Sequence, residues 1–476
     1  MLPRVFEIDE IFRLIASRVV DFDGSSAIAL ACCCKALQDP VLRLCWEGKS
    51  LDNLAAVLPA GVLARSGHST LPYYTTIRSP TQQERHRLLR YASWIKRIEG
   101  LFTRRFEAFF DILHSSSPTE TPFPNLRTLS WCIYPSFLRF LPLFVSPLIT
   151  TFSVTVHKDK TFDPKTMERD YLSAAIAALP TSLREFTLRI NPAGLGNDEL
   201  KEEVLRAVHR CGPILTHLEI DVELPAVMIQ HVMELPKLRT WKVHGNLPPA
   251  TLTPSSEVAS YLPALSSLTL AATNARDWVT FLSIPHPKLT AIRSTLTELN
   301  LSDHQDVDPT LISQLCVFQN LTHLHVGASC PDDRCAFSLT DDDVSDLSWA
   351  LPRLESLMLG HQCDRNTCRT TVRSLLFLSA RCPGLVFLSI HFNTAQIAQD
   401  IQSLFETWDS SVRNLRESSA RCLVTTLSVS QTPLPLAGTD ELEVVKRGFL
   451  NVFPQLKAIS RKYAKTWRCL TEALGK

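Results

Sequence analysis

"SLTDDDVSDLSWALPRLESLML", residues 338–359, carries one complete structural unit in a single line. Thr340 or Asp341 is placed to cap a helix, and Asp341, Asp342 and Asp343 fill its first turn, where the helix dipole favours negative charge. Val344, Leu347 and Leu351 then fall on one helical face, and Pro352 stops the helix. The next segment, Leu354-x-x-Leu357-x-Leu359, has the alternation of a short strand that buries one side. The acidic run therefore starts a helix rather than holding calcium.

The same order recurs along the chain. "FPNLRTLSW", "SPLITTFSV", "PTSLREFTL", "GPILTHLEI", "LPKLRTWKV", "LPALSSLTL", "STLTELNL", "FQNLTHLHV", "CPGLVFLSI", "RCLVTTLSV" and "FPQLKAIS" each place an apolar-x-x-apolar-x-apolar segment after a helical run, often behind a proline. The leading apolar positions are Leu126, Ile149, Leu183, Leu215, Leu238, Leu265, Leu296, Leu321, Leu354, Leu385, Val424 and Leu456, spaced 23 to 39 residues apart. That period sits at and above the range of leucine-rich repeats. Ser79 and Pro80 are placed to cap a helix, and Ile95 to Ile98 after it starts an earlier, weaker unit. The expected fold is α/β: a degenerate leucine-rich-repeat solenoid with a curved parallel sheet, apolar strand positions turned inward and helices on the outer side. The asparagine ladder of regular leucine-rich repeats is mostly missing.

Length and composition agree with such an array. A chain of 476 residues exceeds one ordinary core and either splits into domains or extends by repetition. A formal net charge of +1 provides no overall field to draw in nucleic acid or an anionic membrane. Arg139, Pro142 and Pro147 interrupt the most apolar segment, "FLRFLPLFVSPLITTF", short of a membrane span. The N-terminal run carries Glu7, Asp9, Glu10, Arg13 and Arg18 where a signal peptide needs an apolar core. A cytoplasmic or nuclear protein is expected, with its fourteen cysteines as thiols.

Three short amphipathic helices are expected in the first fifty residues. Ile8, Ile11, Phe12, Leu14, Ile15 and Val19 make one apolar stripe, and "DFDGSS" reads as the turn after it. Ala27, Leu30, Ala31, Cys34 and Leu37 make a second stripe, with Ser25 or Ser26 as its cap. Asp39 and Pro40 have the form of an N-cap and first helical residue, opening a third helix with Leu42, Cys45 and Trp46. Cys32, Cys33 and Cys34 are consecutive, so a helix fans them apart by about 100° each and they cannot converge on one ion.

"FEIDEIFRLIASRVVDFDGSSAIALACCCKALQDPVLRLCW" resembles an F-box, the module that docks on a Skp1-type adaptor. The matching features are Ile8, Glu10 and Ile11, Leu14 and Ile15, Leu30, the Cys34-Lys35 pair and Trp46; the family's usual proline is Asp9 here. With the tail, nearly the whole chain resembles F-box proteins with divergent leucine-rich repeats, of the kind abundant in basidiomycete fungi. The resemblance implies an F-box-like module over 1–50, a helical linker and first weak repeat over 51–118, and the solenoid over 119–476. It implies adaptor contacts from Ile8, Asp9, Ile11, Leu14, Ile15, Leu30, Cys34, Lys35, Leu37 and Trp46. The partners would be the adaptor, through it a cullin, and an unknown protein target, with no nucleic acid, membrane or cofactor and no catalytic residue. The function implied is substrate receptor of a ubiquitin ligase; the alternative is a repeat scaffold that binds proteins outside any ligase.

Competing chemistry finds little support. No Gly-x-Ser-x-Gly, Walker, His-Glu-x-x-His or dinucleotide-binding pattern occurs, and "GLGNDE" places Glu199 where a third glycine belongs. "HQCDRNTC" brings His361, Cys363 and Cys368 close, with Cys382 later, but without the paired spacing of structural zinc. From Arg85 to Arg105, seven Lys and Arg interleave with Tyr91 and Trp94, a pattern expected of a solvated helix face beside a core.

Overall fold

The computed structural model describes residues 9–22, 24–33, 35–66, 73–102, 104–116, 121–157, 166–190, 198–221, 224–244, 260–271, 275–302, 306–327, 337–360, 368–406, 415, 418–419, 422–429, 439–460, 467 and 470. They fall into two compact units, Met1–Val222 and Glu223–Lys476.

The first unit opens with helices α1 (Asp9–Phe22), α2 (Gly24–Cys33) and α3 (Lys35–Trp46). Their shared core is Ala16, Ala27, Ala31, Leu37 and Val41, with Val19, Val20, Leu30, Leu42, Leu44 and Cys45 packed around it. Small residues let three short helices approach closely, which is how so few side chains make a core. Two expected boundaries shift. Ser25 and Ser26 lie inside α2 rather than capping it, and α3 starts at Lys35 with Pro40 in its interior. Asp39 is no N-cap: its carboxylate takes two hydrogen bonds from Arg90, both 2.8 Å.

After α4 (Leu51–Ala55) comes an antiparallel hairpin, β1 (Leu63–Ser66) and β2 (Tyr73–Thr76), and then α5 (Gln82–Ala92). The Tyr74 hydroxyl donates to Asp52 at 2.9 Å, tying hairpin to helix; burial, with this bond added to it, pushes the phenol up to about 12. The cap of α5 is Thr81 rather than Ser79 or Pro80. The unit then runs β3 (Arg97–Phe102), α6 (Glu107–Ser116), β4 (Thr128–Ile133), a 3₁₀ helix Pro135–Phe144, β5 (Thr151–Val156), α7 (Thr166–Ala177), β6 (Glu185–Ile190), α8 (Asp198–Cys211) and β7 (His217–Asp221). Strands β3 to β7 pair in chain order, all parallel.

The second unit repeats the plan. Its elements are α9 (Ala226–Met233), β8 (Thr240–His244), β9 (Ser267–Ala271), α10 (Ala275–Ser283), α11 (Thr290–Thr295), β10 (Glu298–Ser302), α12 (Pro309–Leu315), β11 (His323–Val326), α13 (Asp341–Ala350), β12 (Ser356–Leu359), α14 (Val372–Arg381), β13 (Phe387–Ile390), α15 (Ile397–Glu406), β14 (Thr426–Val429), α16 (Thr439–Val452) and β15 (Ala458–Ser460). Strands β8 to β15 are again parallel and neighbours in chain order. The chain is thus α/β with parallel strands alternating with helices.

Each of the twelve leading apolar positions read from the sequence is buried, and a strand begins two residues after each, Thr128 after Leu126 and Ala458 after Leu456 being the outermost pairs. Ile95 stands in the same relation to β3. The register aligns the inward residues into rows: Ile98, Leu129, Phe152, Phe186 and Leu218 in the first unit, Trp241, Leu268, Leu299, Leu324, Leu357, Leu388, Leu427 and Ile459 in the second. Helices cover this face, as Phe110 of α6 against Trp131 and Trp278 of α10 against Trp241 show, at ring separations of 6.0 and 5.4 Å. Full burial of one such side chain is worth about 1.5 to 3 kcal/mol, so rows of this length dominate the stability.

A ladder of hydroxyls runs along the starts of the strands. Within each unit, the residue after a leading apolar position accepts two amide hydrogen bonds at its carbonyl from the next repeat, as Arg127 does from Thr150 (2.8 Å) and Thr151 (3.0 Å). Thr150, Thr216, Ser266, Thr297 and Thr322 add a hydroxyl bond to the same carbonyl, at 3.0 to 3.3 Å. The two amides already match the two lone pairs of such a carbonyl, and the hydroxyl shares the same oxygen as a third donor where the strands begin.

Candidate docking surfaces

The three N-terminal helices leave large apolar side chains in water. Leu14 of α1 is 65% exposed, Ile15 36%, and Ile28 of α2 57%. These three are the large apolar side chains most exposed among the described residues of the three helices. The hydrophobic periodicity of α1 thus divides between two tasks: Ala16, Val19 and Val20 pack inward, while Leu14 and Ile15 face out.

The residues implied as adaptor contacts separate accordingly. Leu14 and Ile15 are exposed, as is Lys35 at the start of α3. Leu37 is 5% exposed and belongs to the core of the three helices, and Leu30 packs against that core, so both support the surface rather than form it. Trp46 is half-buried against Tyr91 of α5, with ring centroids 4.6 Å apart, and acts at the junction with the rest of the unit. Asp9 and Ile11 lie on the backbone of α1; their side chains, and Ile8 and Cys34 altogether, lie outside the described residues. Ile28 is not legible in the sequence, because it falls off the stripe that runs through Ala27 and Ala31.

That junction is made by backbone. The Glu47 carbonyl, just past α3, accepts from the amides of Lys96 (3.0 Å) and Arg97 (3.2 Å) at the start of β3. Lys96 in turn offers its own carbonyl to the next strand in the same way, accepting from Arg127 and Thr128. Glu47 therefore fills the place a preceding repeat would occupy, and its carboxylate also pairs with the Lys96 ammonium. The three helices are attached to the first edge of the sheet by the sheet's own pattern. Arg90, Lys96, Arg97 and Arg105 each face a carboxylate, from Asp39, Glu47, Glu99 and Asp52 respectively.

The second surface is the open side of the strands, whose residues alternate with the buried rows. In the first unit it is mainly hydroxyl and charge: Thr128, Ser130, Thr151, Ser153, Thr155 and Thr187, with Arg189 paired to Glu219. In the second it presents Glu298, Asn300, His323, Ser356 and Phe387, fewer charges and larger uncharged groups.

Two cavities accompany these surfaces. One, of about 580 Å³, lies beside α3 and is lined by Pro40, Arg43, Leu44, Glu47, Ser93, Trp94, Lys96 and Asn125. The other, of about 480 Å³, lies on the helix side of the second unit around Trp349 and Arg381. Among the described residues no three metal-ligating side chains converge, and no helix is long and apolar enough to cross a membrane. Of the "HQCDRNTC" group, His361 and Cys363 lie outside the described residues, while Cys368 and Cys382 are buried. Burial pushes the Cys382 thiol up to about 12.

No family model matches the chain, and no curated protein matches it.

Proposed function

We propose that this protein is the substrate-recognition subunit of a Skp1–cullin–F-box-type ubiquitin ligase. On this reading the N-terminal helices are an F-box that docks on the adaptor, and the strand–helix units are degenerate leucine-rich repeats whose open face captures a target protein. The observation that carries it is the exposure of the apolar side chains Leu14, Ile15 and Ile28 on helices followed by Glu47, whose carbonyl is hydrogen-bonded into the sheet. The contribution to catalysis is proximity: a docked adaptor and a captured target on one chain raise the effective concentration of target lysines near a charged conjugating enzyme. No residue of the chain takes part in the transfer itself, and the site of action is the cytoplasm or nucleus.

The test is co-expression with a Skp1-type adaptor. A stoichiometric complex is expected, lost in Leu14→Asp and Ile28→Asp while the circular dichroism and melting temperature stay close to wild type, since substitutions of exposed residues usually change stability by less than about 0.5 kcal/mol. No complex from a folded chain overturns the reading. A complex that recruits no cullin points instead to a repeat scaffold working outside a ligase.

A further inference from the structure

A free thiol hydrogen-bonded to an imidazole lies on the open face of the first unit's sheet. Cys132 occupies an outward position of β4, and His157 directly follows β5; Cys132 Sγ and His157 Nε2 are 3.2 Å apart. Both are fixed by the sheet. Cys132 sits in register between Leu101 and Thr155, and the His157 amide donates to the Ile133 carbonyl at 2.8 Å. The neighbouring Leu101 is 51% exposed, so this part of the face meets solvent, and Cys132 itself is half-buried.

Six of the eight other described thiols differ in one of two ways. Burial holds Cys382 up at about 12 and Cys316 at about 11, and pushes Cys45, Cys211 and Cys422 up as well, which keeps them neutral and poorly nucleophilic. Cys33 is exposed on α2, but its thiol donates to the Ala29 carbonyl at 3.3 Å, a group that cannot take a proton.

We infer that Cys132 is a site of reversible S-thiolation, with His157 as the group that takes its proton. With the imidazole carrying its hydrogen on Nδ1, Nε2 accepts from the thiol. The proton moves to Nε2 as the sulfur attacks one sulfur of a low-molecular-weight disulfide such as oxidised glutathione. The disulfide's S–S bond breaks, a new S–S bond forms on Cys132, and the departing thiolate recovers the proton from the imidazolium. The protein thiol is oxidised, half of the small disulfide is reduced, and electrons balance within the exchange. The adduct stands among the open-face residues and would shield them from a protein target; that consequence rests on the function proposed above, whereas the chemistry at Cys132 does not.

The experiment uses the full chain carrying Cys32→Ser and Cys34→Ser, so that Cys33 is the one thiol left in its peptide, incubates it with oxidised glutathione and follows mixed disulfides at Cys132 and Cys33 by mass spectrometry. The Cys132 adduct is expected to form about tenfold faster than that of Cys33, and His157→Gln to slow Cys132 about tenfold while leaving Cys33 unchanged, a modest share of what a positioned base supplies. Cys132→Ser should abolish the first adduct without altering the circular dichroism. Equal rates at the two cysteines, or a Cys132 rate undiminished in His157→Gln, overturn the proposal; should that variant misfold, the wild-type ratio alone decides. Adaptor binding, measured separately, keeps a failure of the ligase reading distinct from a failure here.

Discussion

Gly448 sits inside α16, where glycine ordinarily costs about 1 kcal/mol relative to alanine. A Cβ added there would lie 2.5 Å from Cγ2 and 2.9 Å from Cδ1 of Ile401 on α15, which is itself 2% exposed. Cγ2 is fixed close to the Ile401 backbone and cannot swing away, so overpacking, at about 1 to 3 kcal/mol, outweighs the helix gain. Gly448→Ala should therefore lower the urea midpoint. In the background of Ile401→Ala the same change should raise it, because the obstacle is gone and only propensity remains. An unchanged sign in the two backgrounds would show that α15 and α16 do not approach this closely. At this scale, burial is legible in the sequence for the leading apolar positions because one residue type repeats in one place. Leu14 and Leu37 are not distinguishable there: both lie on apolar stripes, and periodicity reports a shared face without saying whether the chain or a partner covers it.

Helix ends show which local signals hold. At α13 the expectation from Thr340 is met in full: its hydroxyl accepts from the Asp343 amide and the Asp343 carboxylate answers at the Thr340 amide, 2.7 Å away. At α5 the same box is formed by Thr81 and Glu84, so the reciprocal Thr81-x-x-Glu84 pattern outweighs the Ser79-Pro80 pair before it. At α3 the Asp-Pro signal loses to tertiary structure, since Asp39 is used by Arg90 across 51 residues of sequence. The α5 box gives a pH prediction. Two hydrogen bonds from Arg78, at 2.7 and 2.9 Å, and one from the Thr81 amide at 2.8 Å hold the Glu84 carboxyl down from 4.5 to about 2. A depressed carboxylate contributes stability that is present above its unfolded value and disappears as pH falls through the folded one. Glu84→Gln should thus unfold at lower denaturant than wild type near neutral pH, and the gap should narrow as pH falls from 4.5 to about 2. Denaturation curves that stay equally separated throughout that window would mean that the ionised carboxylate contributes nothing there.

The order of units along the chain can be read from sequence because each strand pairs with its sequence neighbours, so local patterns carry the topology within each unit. The attachment of the N-terminal helices cannot, because it depends on one carbonyl, that of Glu47, accepting the amides of Lys96 and Arg97 far along the chain. Two interactions flank that carbonyl: the Glu47–Lys96 ion pair, with side chains 31% and 40% exposed, and the Trp46–Tyr91 ring contact. Magnitudes decide between them. A solvent-exposed ion pair is worth about 0 to 1 kcal/mol, whereas removing a tryptophan side chain that is mostly buried costs at least about 2 kcal/mol. Lys96→Ala should leave the amide protons of Lys96 and Arg97 as slow to exchange as in wild type. Trp46→Ala should speed their exchange about thirtyfold, the factor that about 2 kcal/mol of local opening corresponds to, without a matching change at the second unit's strands. Under the ligase function proposed above, the same variant separates holding from docking: with Leu14 and Ile28 untouched, adaptor binding should persist, while transfer to a captured target should fall because the helices and the first unit's open face no longer share one frame. Exchange at Lys96 and Arg97 that is unaffected by Trp46→Ala would show that the backbone bonds alone fix the helices to the sheet.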